Sequence, residues 1–254
     1  AGSSVNGLVH HGIRPHAVLS YDPAPPNKKV FDLLATHGVQ IPFIFGTTIY
    51  HEILTDYQFQ DLFHVIISQD TVTPFIYRRL GDVPDPTLSD APSVAIVALQ
   101  LAVYWGANPV IFVGQDLAFP DNKYYSSGVS HLRDQQLTDE ELKQYFEVEK
   151  VGGGTVLTSH GLNRMRESME TALKQFSNAA PDRLFINTSA QGARIHGTLE
   201  MPLSEAIQLY GTKEKDYDQW FRVDESQIDA NRSIEGKRYL DDLLAKQPEL
   251  DAMV

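Results

Sequence analysis

The sequence predicts an α/β fold built on an open, mostly parallel sheet with helices on both faces. Three observations carry that expectation. Short apolar runs alternate with helical patterns along most of the chain, the order that builds parallel sheets flanked by helices. One run, Pro109 to Val113 (PVIFV), is apolar at almost every position, as in a strand covered on both faces. Proline, glycine and polar residues crowd directly behind the apolar runs, where strands give way to loops.

In chain order, His16 to Tyr21 (HAVLSY) reads as a strand closed by Asp22 and the prolines at 23, 25 and 26. Asn27 to His37 places Val30, Phe31, Leu33 and Leu34 at helical spacing, Gly38 suits the position past a helix end, and Ile41 to Phe45 is the next buried strand. His64 to Ile67 is another apolar run, and the proline-rich stretch from Thr73 to Pro92 reads as a long surface excursion. Ser93 to Trp105, rich in alanine and closed by Gly106, is the strongest helix. After the strand PVIFV, Gly114 to Thr138 is a long loop rich in Tyr, Ser, Gly, Asp and His. Thr138-x-x-Glu141 is a capping box opening a helix from Asp139 to Tyr145. A hairpin then spans Phe146 to Thr158 around Gly152-Gly153-Gly154, and Ser159 caps a helix running to Phe176. Arg183 to Asn187 is a late strand, and Pro202 to Tyr210 a helix with proline near its start. Residues 1–210 thus form one α/β domain of Rossmann-like type, and the charged, periodic stretch 211–254 a helical tail or linker.

Composition narrows the functions. A chain of 254 residues, 42% hydrophobic, supports one large domain with a full core. The absence of cysteine removes disulfides, thiolate metal sites and thiol catalysis. A formal charge of −12 disfavours nucleic acid or an anionic membrane surface as the main ligand. A small anionic ligand stays open, because backbone amides bind phosphate without a basic surface. No apolar run approaches the roughly 20 residues that cross a bilayer, no signal peptide is visible, and a cytoplasmic location fits.

Ligands of open parallel sheets bind outside the carboxyl ends of the strands, so the candidate residues are those that follow each strand. Ala1-Gly2-Ser3-Ser4 is a small-residue stretch with no strand before it, although a phosphate-binding loop of this kind follows a first strand. The expectation is a domain whose first strand is missing from the sequence, the alternative a frayed terminus. Asp22 can accept hydrogen bonds from a ribose or base or hold a cation, or simply open the Asp-Pro turn. Gly114-Gln115-Asp116 puts a backbone open to close approach, an amide and a carboxylate at the mouth of the sheet, where Asp116 reads a polar ligand edge or instead caps a local turn. Asn187-Thr188-Ser189 and Gly192-Ala193-Arg194 follow the last strand and face the same crevice, Arg194 as an anion partner or a surface arginine. Tyr124, Tyr125 and His131 crowd the long loop: two phenols and an imidazole can stabilise a leaving phosphate and take a proton from a hydroxyl, or merely anchor a solvated loop. His160 is a second candidate base.

Taken together, these segments resemble the motility accessory factors. AGSSVNGL is similar to the family's opening loop, usually Gly-Pro-Ser-Leu in type, with Ser3 where proline is expected; VLSYDP resembles its strand ending in Asp-Pro. Ser93-Val94-Ala95 through Leu101-Ala102 and Gly106-Ala107-Asn108-Pro109, continuing as VIFVGQDLAF, is the most specific match. INTSAQGARIHGTLEMPLSEAI resembles the closing strand and loop, and also bacterial sialyltransferases.

The resemblance implies a sialyltransferase-like fold and an inverting glycosyltransferase that moves a nonulosonic acid, of pseudaminic or legionaminic type, from a CMP-sugar to Ser or Thr of flagellin. In that scheme Gly2, Ser3, Ser4, Asp22, Gly114, Gln115, Asp116, Asn187 and Thr188 hold the nucleotide. Tyr124 and Tyr125 stabilise the departing phosphate, and His131 is the general base. No metal or other cofactor is required. The same signature is shared with archaeal pterin diphosphokinases, which would need Mg²⁺, for which Asp22 and Asp116 are available; no Walker-type Gly-Lys-Ser/Thr motif is present. The remaining alternative is a non-catalytic module binding nucleotide or flagellin.

Overall fold

The computed structural model describes residues 4–79, 87–123 and 136–211, and five helical positions between 237 and 245. The first described element is α1 (Ser4–His10), which buries Val5 and Val9 one turn apart. Buried beside them, Asn6 donates to the Lys29 carbonyl at 2.8 Å and accepts from the Leu33 amide at 3.1 Å. β1 (Val18–Ser20) leads into a 3₁₀ turn (Pro25–Phe31) and α2 (Asp32–His37), which ends where Gly38 turns left-handed at φ 63°. β2 (Phe43–Gly46), α3 (Glu52–Asp56), β3 (Leu62–Val65) and α4 (Val72–Arg79) follow. α5 (Val94–Tyr104) starts at Ser93, whose hydroxyl accepts from the Ala95 amide, and precedes β4 (Val110–Phe112). The rest is α6 (Asp139–Leu142), β5 (Phe146–Glu149), β6 (Thr155–Thr158), α7 (His160–Ala179), β7 (Phe185–Asn187), β8 (Leu199–Glu200) and α8 (Leu203–Tyr210).

Among the described residues the strands form two three-stranded parallel sheets, β1-β2-β3 and β4-β7-β8, with β5-β6 as a separate antiparallel hairpin. Val18 lies opposite Phe43 and Phe43 opposite Leu62; Val110 lies opposite Phe185 and Ile186 opposite Leu199. Alternate side chains of a strand point to opposite faces, and the first sheet uses both. Val18 and Phe43 pack with Val5, Val9, Val30, Phe31 and Leu34 under α1 and α2. Leu19 and Ile44 pack with Val97 and Leu101 of α5. In the second sheet Phe112 and Phe185 meet Ile96 and Leu99 of α5 and Met169 and Leu173 of α7. Helix α5 therefore serves two cores, which explains why it is apolar nearly all round. Phe31 and Phe43 are wholly buried, each stabilising the fold by about 1.5–3 kcal/mol.

The α/β architecture matches the expectation, with differences in detail. The expected helix from Asn27 begins as a 3₁₀ turn at Pro25. The strand expected at His64 to Ile67 starts at Leu62, while Ile67 bridges Leu88 beyond it. The supposed surface excursion contains α4 and the buried Leu88. Its proline did not prevent the helix, because Pro74 falls in the first turn, where no amide donor is needed. The helix expected over Asp139 to Tyr145 stops at Leu142, while α7 runs on to Ala179. The capping box is present, with Thr138 accepting from the Glu141 amide and Glu141 accepting from the Thr138 amide. PVIFV departs most: Val110 and Ile111 are only partly covered and Val113 is 59% exposed, so among the described residues one face of this strand is only partly covered and β7 is its one strand partner. No helix among the described residues is long and apolar enough to cross a membrane.

Candidate functional site

The direction of the strands decides whether the candidate residues share a side of the molecule. Tyr21, just past β1, donates its hydroxyl to the Ala91 carbonyl at 2.7 Å, so the carboxyl end of β1 lies beside the start of α5. At the other end of α5, Arg183 donates to the Val103 carbonyl at 3.1 Å, so β7, and β4 paired with it, begin at the helix's carboxyl end. Both parallel sheets thus aim their carboxyl ends at the amino end of α5. Helix α1 joins that side: it leads down to Arg14, which bonds Gln40 and Gln60 at the amino ends of β2 and β3, so its start, Ser4, points toward the carboxyl rim. Burial first, then the charges of Asp90 and Asp22, push the Tyr21 phenol up to about 12, so it stays a neutral donor.

The turns after β4 and β7 are locked together. Gly114 takes φ 69° and Leu117 φ 48°, left-handed values that fold the Gly114-Gln115-Asp116 turn sharply. The Asp116 carbonyl accepts from the Ala193 amide at 2.7 Å. Gly192 lies so close that a Cβ there would sit 2.5 Å from the Asp116 Cα and 2.7 Å from its carbonyl oxygen. The Thr158 hydroxyl donates to the Leu117 carbonyl at 2.8 Å, tying the start of α7 to the same turn. Gln115 and Asp116 keep partly exposed side chains on this framework.

Each strand-end candidate has a definite role in its turn. Asp22 accepts from the Ala24 amide at 2.9 Å and its carbonyl accepts from Tyr50 at 3.2 Å, an Asx turn that spends one carboxylate oxygen. Thr188 donates its hydroxyl proton to the Phe112 carbonyl at 2.7 Å, leaving only lone pairs for a ligand. Asn187 is fully buried and its Oδ1 accepts from the Ser189 amide at 3.0 Å. Its Nδ2, and the buried Ser189 Oγ, find no partner among the described residues. Unsatisfied buried polar atoms are rare and call for a reason; here both lie at the carboxyl end of β7.

Other candidates fall differently. Arg194 is consumed by structure: it bonds Glu200 at 2.6 Å and Glu149 beside it, and its amide donates to the Glu149 carbonyl at 2.8 Å, clamping β5 to β8. His160 begins α7 exposed, with its ring 4.9 Å from that of Phe146. Gly2, Ser3, Tyr124, Tyr125 and His131 lie outside the described residues; the bridge between Lys123 and Gln136 joins the two ends of the segment that holds the last three.

The sequence reading missed a polar cluster behind β2. Thr47 Oγ1 meets His64 Nε2 at 2.7 Å, Thr73 Oγ1 at 2.9 Å and the Asp70 carboxylate, while Asp70 Oδ1 accepts from the amides of Val72 and Thr73 at the start of α4. Burial holds the His64 imidazole below its usual range, against the pull of Asp70. Burial raises Asp70, but hydrogen bonds from Thr47, Thr73 and Val72 outweigh it and leave the carboxyl lowered. The only signal in the sequence was Gly46-Thr47-Thr48 directly behind a strand. Among the described residues no three His, Asp or Glu side chains gather as a metal site.

Residues 1–122 match the family described as 6-hydroxymethylpterin diphosphokinase MptE-like. The structure is similar to that of the MAf glycosyltransferase from Magnetospirillum magneticum AMB-1, with a TM-score of 0.57 and 14% identity, over 93% of this chain and 32% of that one. The chain therefore spans about a third of that protein's length. No curated protein matches by sequence.

Proposed function

We propose, from the premise that this chain is related to the MptE-like and motility accessory factor family, that its carboxyl rim binds a nucleotide-activated sugar and supports glycosyl transfer. The Rossmann-like fold is shared with a glycosyltransferase and with a diphosphokinase-like family, so the fold leaves the reaction open. The observation that carries the reading is the locked pair of turns at Asp116 and Gly192, with the unsatisfied Asn187 Nδ2 and Ser189 Oγ beside it. Polar atoms left buried without partners are suited to a polar ligand edge such as a cytosine or ribose.

In the favoured scheme the donor is a CMP-linked nonulosonic acid and the acceptor a Ser or Thr hydroxyl of flagellin, in the cytoplasm. Residues 1–210 are the catalytic domain and 211–254 a tail or linker. Ser4, Asp22, Gly114 to Asp116, Asn187 and Thr188 hold the nucleotide together with Gly2 and Ser3. The bond from the anomeric carbon to the phosphate oxygen breaks as the hydroxyl oxygen attacks from the opposite face. His131 takes the hydroxyl proton, and Tyr124 and Tyr125 hydrogen-bond the departing CMP phosphate.

The family match favours a second reading, transfer of diphosphate from ATP to a hydroxymethylpterin. Asp22 and Asp116 are the carboxylates that would hold its Mg²⁺. Isothermal titration separates the two: CMP binding without metal is the expected result, whereas ATP binding that depends on Mg²⁺, with none of CMP, selects the kinase. If CMP binds but His131→Ala and Tyr125→Phe leave sugar transfer unchanged, the assigned chemistry is wrong.

A further inference from the structure

The polar cluster around Thr47 stands on the carboxyl rim, apart from the Asp116 and Gly192 turns. Thr47 follows β2 directly, and its neighbours fix it against the Asp22 turn. The Thr48 hydroxyl donates to the Tyr21 carbonyl at 2.6 Å, and the Tyr50 amide donates to the Asp22 carbonyl at 3.2 Å. A Cβ on Gly46 would lie 2.8 Å from the Tyr21 Cβ, so the end of β2 is pressed against the end of β1. His64 lies opposite Phe45 on β3, two strands from β1, or roughly 10 Å along the sheet.

The protons of this cluster follow from its bonds. Burial works against the charge of Asp70, but amide bonds from Val72 and Thr73 at 3.0 and 2.9 Å, with the two threonine hydroxyls, outweigh it, so the carboxyl is ionised. An ionised carboxylate only accepts, and the Thr47 hydroxyl therefore spends its single proton on Asp70. Toward His64 Nε2, 2.7 Å away, the Thr47 oxygen is left an acceptor, so that nitrogen must carry hydrogen. Burial keeps the His64 ring neutral against the pull of Asp70. A neutral imidazole protonated at Nε2 holds a bare lone pair on Nδ1. Phe45 packs beside the ring, with centroids 5.2 Å apart, and Nδ1 has no hydrogen-bond partner among the described residues.

A negative Asp70 beside an acceptor nitrogen repels phosphate and carboxylate groups and suits a neutral hydroxyl, which brings the missing proton. Resting on the reading that the rim binds a nucleotide-activated sugar, we propose that His64 Nδ1 accepts a hydrogen bond from a hydroxyl of that sugar. Thr47 and Asp70 are positioning residues: they fix the tautomer that leaves Nδ1 free to accept. The rim is thereby divided, with the nucleotide at the Asp116 and Asn187 turns and a sugar-hydroxyl subsite at the ends of β2 and β3.

Isothermal titration of the full chain with CMP and with a CMP-linked nonulosonic acid, CMP-N-acetylneuraminic acid, tests this. In His64→Leu the ratio of the two affinities should shift about tenfold against the sugar nucleotide. An unchanged ratio overturns the subsite alone, whereas a wild-type protein that binds neither probe overturns the nucleotide reading and the subsite with it. Should the variant fail to fold, nitrogen NMR of the imidazole in the wild-type protein decides. Nδ1 is expected to be unprotonated in the free protein and to respond to the sugar nucleotide but not to CMP. A protonated Nδ1, or the same response to both probes, overturns the proposal. In Thr47→Val the same spectrum should show a mixture of tautomers; a single unchanged tautomer overturns the positioning role of Thr47 and Asp70.

Discussion

Gly192 has no room for a side chain, because a Cβ would lie 2.5 Å from the Asp116 backbone. Gly192→Ala must force the two turns apart, and overpacking of this kind costs about 1–3 kcal/mol. A lowered melting temperature and weaker CMP binding are expected together; unchanged binding would show that the turns do not form the site. Asn187→Ala removes the unsatisfied Nδ2 and the bond to Ser189, and the expected effect on CMP affinity is a loss of about tenfold, or about 1.4 kcal/mol. The Thr47 cluster yields a pH dependence. His64 is held below its ordinary pKa, so as pH falls below about 6.5 the unfolded chain takes up the proton first and stability declines. That decline runs down to the depressed folded value. His64→Gln should flatten that part of the urea-midpoint profile between pH 7.5 and 5.5. Asp70, also lowered, contributes above the ordinary carboxylate range and is lost only at more acid pH.

Among the elements, α5 organises the molecule, since it closes both cores and sits at the rim through Ala91. Its Ser93 cap accepts from the Ala95 amide, and Ser93→Ala should lower stability by about 1 kcal/mol in a urea melt. This helix, α7 and the capped α6 were legible because their caps and apolar positions are local signals. The register of β3 was not: Leu62 to Ile67 is apolar but for His64, and its start depends on pairing with Phe43, a distant partner. Helices α3 and α4 were hidden for different reasons. α3 is five residues without a side-chain cap, and the proline of α4 resembled a breaker until its place in the first turn was known. For PVIFV, composition announced burial on both sides, whereas Ile111 and Val113 depend on what lies beside β4.

At the scale of the whole molecule, the rule that ligands sit outside the carboxyl ends of parallel strands singled out Asp22, Gly114 to Asp116 and Asn187 as candidates from the sequence. The structure puts them on one side through the bonds at the two ends of α5. What the sequence could not convey is how the turns lock, because the approach of Gly192 to Asp116 joins residues 76 positions apart. Thr47, His64 and Asp70 escaped notice for the same reason. The most direct test is amide chemical-shift mapping during titration with CMP. Saturable shifts should appear at Asp22 to Ala24, Gly114 to Asp116 and Asn187 to Gly192, with Arg14, Gln40 and Gln60 at the opposite edge unmoved. Shifts gathered around Arg14, Gln40 and Gln60, or none that saturate, would contradict a nucleotide seat on the carboxyl rim.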